Sequence, residues 1–547
     1  MTPMPDAFAF VLHSHLPYAR GAGRWPHGEE WVHEAILGTY LPLLVALHDL
    51  RAAGIDFRLT IGLTPALIEQ LADADIVRRS FEYIDDQIRR AEVDVRALRA
   101  DGQAHRVEIA SFYSSHFRSL RGAYAGRFDR DIVGAFADLA RTGHLELLTS
   151  AATHGYLPLL DEASVDGQLA IGRRSSRRLL GCDPTGIWLP ECAYAPGLER
   201  ILEEHGITHF FSDANLLVGR EAAGAERRVR FGRERDRSGA AIATLERPPA
   251  QPPGEADLFR PYLVADSAVA VIARHPEVSG QVWSAVHGYP GDPWYREFHR
   301  KDDRSGLRYW RVTDVTSGLG EKDEYDIDRA VERVAAHADH FVSAVRSELA
   351  AQRARSGRAG LLVVTFDSEL FGHWWFEGVT WLAAVLRLLA AEGPRTTTIA
   401  EHLESDPPTA RVALREGSWG KDNDHSTWLN ERTTWIWCEL DVMGARFAQL
   451  RSDPPSDPFR ARAARQAARE LLLAQSSDWP FLVTTGQAVD YGIERFRVHA
   501  LRFHRACELA RRGTPDDEAE LATLERADNV FPDIDLAAFE RPSPLSV

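Results

Sequence analysis

The sequence predicts an α/β protein with parallel strands, followed by a helical unit. Three observations predict it: short apolar runs that stop at polar residues, helix-patterned stretches between those runs, and the loss of strand-like runs beyond about residue 405. A chain of 547 residues exceeds one small domain and predicts two or three structural units.

Residues 7–13 (AFAFVLH) are apolar until their last position. They read as a buried parallel strand that delivers His13 and His15 to its C-terminal end. Residues 30–53 read as a long helix closed by Gly54, and 57–61 as a second strand. The highly charged stretch 73–100 is helical in pattern, and 105–142 continues it, so about 95–140 is expected to form an inserted helical subdomain. Residues 145–149 (LELLT) follow Gly143 as a strand, and 186–189 follow the Asp183-Pro184 turn as another. A helix over 198–205 precedes a strand over 209–211. Residues 218–257 are rich in Arg, Glu, Gly, Ala and Pro without a period, the composition of a mobile surface loop. Short strands resume at 263–265 and 270–274. A helix over 327–353 leads to the strand 361–366 (LLVVTF), which ends at Asp367, and a helix over 380–391 follows. Residues 430–451, 458–475, 485–511 and 516–527 are all helical in pattern. The expected division is a catalytic α/β unit over 1–405 and a C-terminal all-helical domain over 406–547.

A hydrophobic fraction of 44% is enough for a large core, and the formal charge of −16 disfavours nucleic acid and anionic membrane as partners. A neutral substrate fits that balance. Cys182, Cys192, Cys438 and Cys507 form no CxxC pair, as expected of free thiols in a reducing compartment. Residues 1–19 lack the charged and apolar regions of a signal peptide, and no run of about 18 apolar residues occurs, so the expected location is the cytoplasm. The 14 tryptophans offer ring faces suited to sugars.

Three constellations carry chemistry. In His13-Ser14-His15 the two imidazoles, two apart on a strand, face one site, as sugar-positioning groups or metal ligands. In Gly186-Ile187-Trp188-Leu189-Pro190-Glu191 an apolar strand stops and a carboxylate follows at once. In Thr365-Phe366-Asp367-Ser368-Glu369 a second acid stands just past a buried strand, followed by His373, Trp374, Trp375 and Glu377. Asp367 is preferred as the reactive acid because it comes first, with Glu369 and Glu377 as substitutes. Two carboxylates on different strand ends are what retaining glycoside chemistry needs, one to attack the anomeric carbon and one to move the proton.

These segments, with ELLTSAATH (146–154), VWSAVHGYPGDPWYREFH (282–299), SGLRYWRVT (305–313), SWGKDNDHSTW (418–428) and QSSDWPF (475–481), resemble glycoside hydrolase family 57 and, within it, the α-1,4-glucan branching enzymes. The resemblance implies a distorted (β/α)7 barrel with a helical insertion, closed by the C-terminal helical domain. It implies Glu191 as nucleophile and Asp367 as acid/base, acting on amylose, glycogen or a related α-glucan, in a monomer or small homo-oligomer with no metal or cofactor. It also implies substrate contacts from His13, His15, His154, Trp283, Trp419, Trp428 and Asp478, with Trp25 and Trp31 at the cleft edge. In one respect the chain departs from the pattern: related enzymes carry a water-shielding tyrosine on the loop after the nucleophile strand, and 218–257 contains none. The rival expectations are an α-amylase or 4-α-glucanotransferase on the same scaffold, a metal-dependent hydrolase using His13 and His15, and a non-catalytic glucan binder.

Overall fold

The computed structural model describes residues 5–23, 27–218, 228–235, 241–246, 256–284 and 287–541. Its strands are β1 (Ala7–Ser14), β2 (Leu59–Leu63), β3 (Leu145–Leu148), β4 (Gly186–Ile187), β5 (His209–Ser212), β6 (Arg228–Arg235), β7 (Ala241–Glu246), β8 (Tyr262–Val264), β9 (Ala270–Ala273), β10 (Leu361–Asp367), β11 (Arg395–Thr396) and β12 (Arg411–Val412). One sheet has the order β10-β1-β2-β3, with β11 also paired to β1; a second has the order β12-β8-β9-β5-β4. Pairing is parallel in both, except between β8 and β9. The sheets are joined at one seam, where Thr149 N donates to Gly186 O (3.1 Å) and Trp188 N to Thr149 O (2.9 Å). On the far side His275 N, just past β9, donates to Val363 O of β10 (2.7 Å).

The central strands are apolar because both faces are covered. β1 is buried from Phe8 to Ser14, and every residue of β2 is buried. Phe8 and Phe10 meet Phe341 of the helix Ile327–Ser356, and Phe10 also meets Phe366 and Trp381 at ring separations of 5.3–6.2 Å. Edge and tilted contacts of this kind add about 0.5–1.5 kcal/mol each beyond area burial. The helices Ala74–Ala100 and Ala104–Gly122 send Ile84, Leu98, Ile109 and Tyr113 into this same core. A separate core lies among the helices Thr434–Ser452, Pro458–Ala474, Asp478–Thr485 and Val489–Arg512.

Several elements differ from the sequence pattern for local reasons. The second strand lies two residues later than 57–61, because pairing with β3 begins at Leu59 while Arg58 N is taken by Thr396 Oγ1 (3.0 Å). The expected helix over 30–53 contains a π-helical turn, Ile36–Tyr40, between Glu30–Ala35 and Leu41–Ala52. This run is also long and apolar enough to cross a membrane, but 61% of its apolar window is buried inside the protein, as befits a core helix. The expected helix over 485–511 begins later, at Val489, because Thr485 ends the preceding helix Asp478–Thr485 and Gly486 at φ +78° caps it in the left-handed conformation. Within 218–257, β6 and β7 pair as an antiparallel hairpin where an irregular loop was expected, and most of the remaining positions lie outside the described residues.

Candidate active site

The C-terminal ends of the parallel strands collect the polar groups that sequence reasoning singled out. His13 is the last-but-one residue of β1, in register with Asp367 on β10 and Gly62 on β2. Gly62 makes room for it: a Cβ there would lie 3.4 Å from His13 Nδ1. The His13 ring stacks on Trp188 (4.7 Å) and its Nε2 shares a hydrogen bond with His154 Nε2 (3.2 Å). His15 stacks on His154 at 3.9 Å, with Nδ1 bonded to Thr64 Oγ1 (3.0 Å) and Nε2 to the Asp478 carboxylate (3.0 Å).

Glu191 follows the short β4 on a strained turn. Pro190 ends the strand, and Glu191 and Cys192 adopt φ +61° and +48°. Such backbone costs about 1–3 kcal/mol per residue and persists only where the surroundings impose it. Here Trp419 N holds the Glu191 carbonyl (3.0 Å), and a bridge between Tyr194 and Gly417 secures the next turn. The carboxylate itself is aimed from two sides: Trp419 Nε1 donates to Oε2 and Ser477 Oγ to Oε1, both at 2.9 Å. Ser477 also bonds His154 Nδ1 (3.0 Å), which ties the Glu191 carboxylate to the histidine stack.

The electrostatics separate the two acids. Burial pushes the Glu191 carboxyl above its ordinary range, while the Trp419 and Ser477 hydrogen bonds pull it back toward the ionised form. Asp367 is pushed well above its ordinary range, first by burial and then by the negative charges of Glu369 and Glu191. Glu369 itself is pushed up to about 7 by burial, against hydrogen bonds from Tyr40 and the His15 amide. His13 and His154 are driven well down by burial and by the neighbouring His15, so they are neutral at pH 7. Burial opposes the charge on His15 too, but Asp478 outweighs it and raises the ring. The arrangement therefore orients one carboxylate with hydrogen bonds that favour its ionised form and pushes a second carboxyl strongly toward its protonated form at the same mouth.

The structure brings together Glu191, Asp367, His13, His15, His154, Trp419 and Asp478. Trp283 belongs at the edge: its Nε1 donates to Thr365 O (2.9 Å), its ring stands perpendicular to Trp419 at 6.3 Å, and it is 36% exposed. Trp31 packs edge-on against Tyr491 of the C-terminal helices (5.2 Å). Trp428 needs correction as a substrate contact: it is 1% exposed, stacked on Tyr156 (4.6 Å), and presents no face to a sugar. Trp25 lies outside the described residues. Of the two substitutes for Asp367, Glu369 shares the site, whereas Glu377 is buried elsewhere and accepts from Tyr325 Oη (2.6 Å) and Arg296 N (3.1 Å).

Sequence reasoning missed Ser477, Tyr40 and Arg274. Arg274 sits past β9, paired with Asp213 (2.6 Å), its guanidinium 6.0 Å from the Trp419 ring. The QSSDWPF segment did hold Ser477, but only the fold shows that its hydroxyl reaches Glu191. A metal at His13 and His15 is poorly served, since three of their four ring nitrogens are engaged by His154, Thr64 and Asp478. Among the described residues, the group with metal-like spacing is Glu470, His499 and Asp528 in the C-terminal core, where His499 pairs with Glu470 and Arg502 with Asp528.

The family model for glycosyl hydrolase family 57 matches residues 9–415, and that for the 1,4-alpha-glucan branching enzyme C-terminal region matches residues 440–539. A 1,4-alpha-glucan branching enzyme from Thermococcus kodakarensis is 41% identical, over 99% of this chain and 79% of its own length. Its crystal structure superposes with a TM-score of 0.88 at 40% identity, covering 99% of this chain and 98% of that one. A probable 1,4-alpha-glucan branching enzyme from Mycobacterium tuberculosis is 31% identical over 98% of both chains. The crystal structure of an alpha-amylase from Thermotoga maritima gives a TM-score of 0.82 at 31% identity, over 99% of this chain and 100% of that one.

Proposed function

The chain belongs to glycosyl hydrolase family 57, and from that membership we propose that it is a 1,4-α-glucan branching enzyme with Glu191 as nucleophile and Asp367 as acid/base. The observation that carries the roles is the asymmetry of the two carboxyls. Glu191 is oriented by two neutral donors, and Asp367 is pushed toward its protonated form by burial and by its acidic neighbours. In the first step the Glu191 carboxylate attacks C1 of a glucosyl unit, and Asp367 gives its proton to the departing O4. The released chain leaves with a free 4-hydroxyl, and the remainder is held as a glucosyl ester of Glu191. In the second step Asp367 takes the proton from a C6 hydroxyl of another glucan as that oxygen attacks C1. The ester breaks, Glu191 is regenerated, and an α-1,6 branch is formed. Trp419 is placed to orient the nucleophile and flank the sugar; His13 and His154, both neutral, serve as hydrogen-bonding partners for hydroxyls.

The architecture is read as a distorted seven-stranded barrel in the order β10-β1-β2-β3-β4-β5-β9. The Thr149 seam and the His275–Val363 bond support that reading. Residues 406–547 are read as a helical domain that closes the mouth, supported by Ser477 and Asp478 reaching Glu191 and His15. The free cysteines suit a reducing compartment, and the cytoplasm is the proposed place of action.

The likeness to an alpha-amylase over nearly the whole chain makes hydrolysis the second reading. Incubation with amylose, followed by proton NMR, separates them. Branching produces α-1,6 anomeric signals with few new reducing ends. New reducing ends without α-1,6 linkages would reject the transfer reading in favour of hydrolysis.

A further inference from the structure

A cavity of about 870 Å³ opens beside the helix that carries Tyr40, and neither Glu191 nor Asp367 is among its walls. Tyr40 turns its hydroxyl to Glu369, whereas Glu34, Gly38, Pro42 and Val45 of the same helical run line the cavity. Its rim includes Asp49, Lys301 and Arg387, all exposed, so the space is open to solvent. The volume lies in the range of ligand sites, about 300–1,000 Å³.

The walls contain buried polar atoms with nothing to bond. Glu377 is 6% exposed, and its Oε2 has no hydrogen-bond partner, although Oε1 accepts from Tyr325 and Arg296 N. Arg296 Nε and Arg308 Nη2 are likewise buried and unpartnered. The two guanidinium groups also lie over rings, Arg296 over Phe376 at 4.0 Å and Arg308 over Phe298 at 4.7 Å, so these groups mark the wall as polar and aromatic together.

The chemistry of the walls narrows the occupant. Arg296 and Arg308 repel a cation; Glu30, Glu34 and Glu377 repel an anion. His116 and His373 are both pushed down to about 4, chiefly by burial, so at pH 7 each offers one N–H and one lone pair. Phe112 and Tyr83 line the cavity as aromatic side chains, whereas Phe376 lies under the Arg296 guanidinium at 4.0 Å. Mixed donors and acceptors with aromatic faces fit a neutral polyhydroxylated ring better than any ion. We propose that this cavity is a second carbohydrate site, separate from the catalytic carboxylates, that holds a short α-glucan segment. That the sugar is an α-glucan rests on the function proposed above; that it is a sugar rests on the walls. A chain held there raises the local concentration of polymer near the strand-end mouth.

The test uses full-length protein carrying Glu191→Gln, which stops turnover, titrated calorimetrically with maltohexaose. Two sites per chain are expected. Ala46→Trp and, separately, Thr380→Trp place bulk at the cavity wall and rim, and each should reduce the count to one without lowering Tm; Thr380 is exposed, so its variant keeps the test readable if the first fails to fold. One site in every variant would overturn the proposal, as would preference for cellohexaose or for inorganic phosphate in parallel titrations. The amylose NMR assay is read independently, so failure of the branching reaction and failure of this site are distinguishable.

Discussion

Two clusters of buried ionisable groups, one at the strand ends and one between C-terminal helices, use similar residues to opposite ends. In the helical cluster Glu470, His499 and Asp528 are fully buried and locked together. His499 Nδ1 meets Glu470 Oε2 at 2.8 Å, Gln466 Nε2 donates to Glu470 Oε1 at 2.8 Å, and Arg502 pairs with Asp528. Arg495 adds a contact to His499 Nε2 at 2.9 Å. At the strand ends, among the described residues, Glu191, Asp367 and Glu369 form no ion pair with an arginine; the partners are tryptophan, serine, tyrosine and a backbone amide. Cations pin the charge state of a carboxylate, while neutral donors orient it and leave protonation free to change. The first cluster holds helices together; the second, in the function proposed, moves a proton.

That contrast can be broken or sharpened by substitution. Glu191→Gln should have the largest effect, a loss of branching and hydrolysis on the order of 10⁴-fold, with Tm unchanged in a thermal melt. Asp367→Asn should follow, with kcat lower by about 10²–10⁴-fold through loss of proton transfer. Asp528→Ala should do the reverse. It leaves the Arg502 guanidinium without its buried partner and costs about 3–5 kcal/mol in urea denaturation, with kcat little changed well below Tm. If Asp528→Ala abolished activity at full stability, the division between the clusters would fail. Glu369→Gln should give the smallest change, seen in the pH profile of kcat. The Glu369 charge raises Asp367; removing it lowers that pKa, so the protonated acid is lost at lower pH and the alkaline limb moves down. An unmoved alkaline limb would remove Glu369 from any positioning role.

Much of the strand-end cluster was legible because the strands announce themselves. AFAFVLH and LLVVTF are apolar until a polar residue appears, and in both cases that residue stands at the mouth. Glu191 was legible for the same reason, although its strand has only two paired residues. What was not legible came from pairs far apart in sequence. Ser477 and Glu191 are 286 residues apart, and Tyr40 and Glu369 are 329 apart. No periodicity records such contacts. The π turn at Ile36–Tyr40, which precedes Leu41 and carries Tyr40, left no mark either, since its residues are as apolar as an ordinary core helix. Trp428 went the other way: the family resemblance implied a substrate contact, but the ring is buried against Tyr156.

The most direct test of the account is to trap the covalent intermediate. A fluorinated maltosyl donor whose glucosyl ester turns over slowly should label the protein once, and peptide mass spectrometry should place the sugar on Glu191. A label on Asp367 or Glu369, or turnover with full activity and no ester at Glu191, would contradict it.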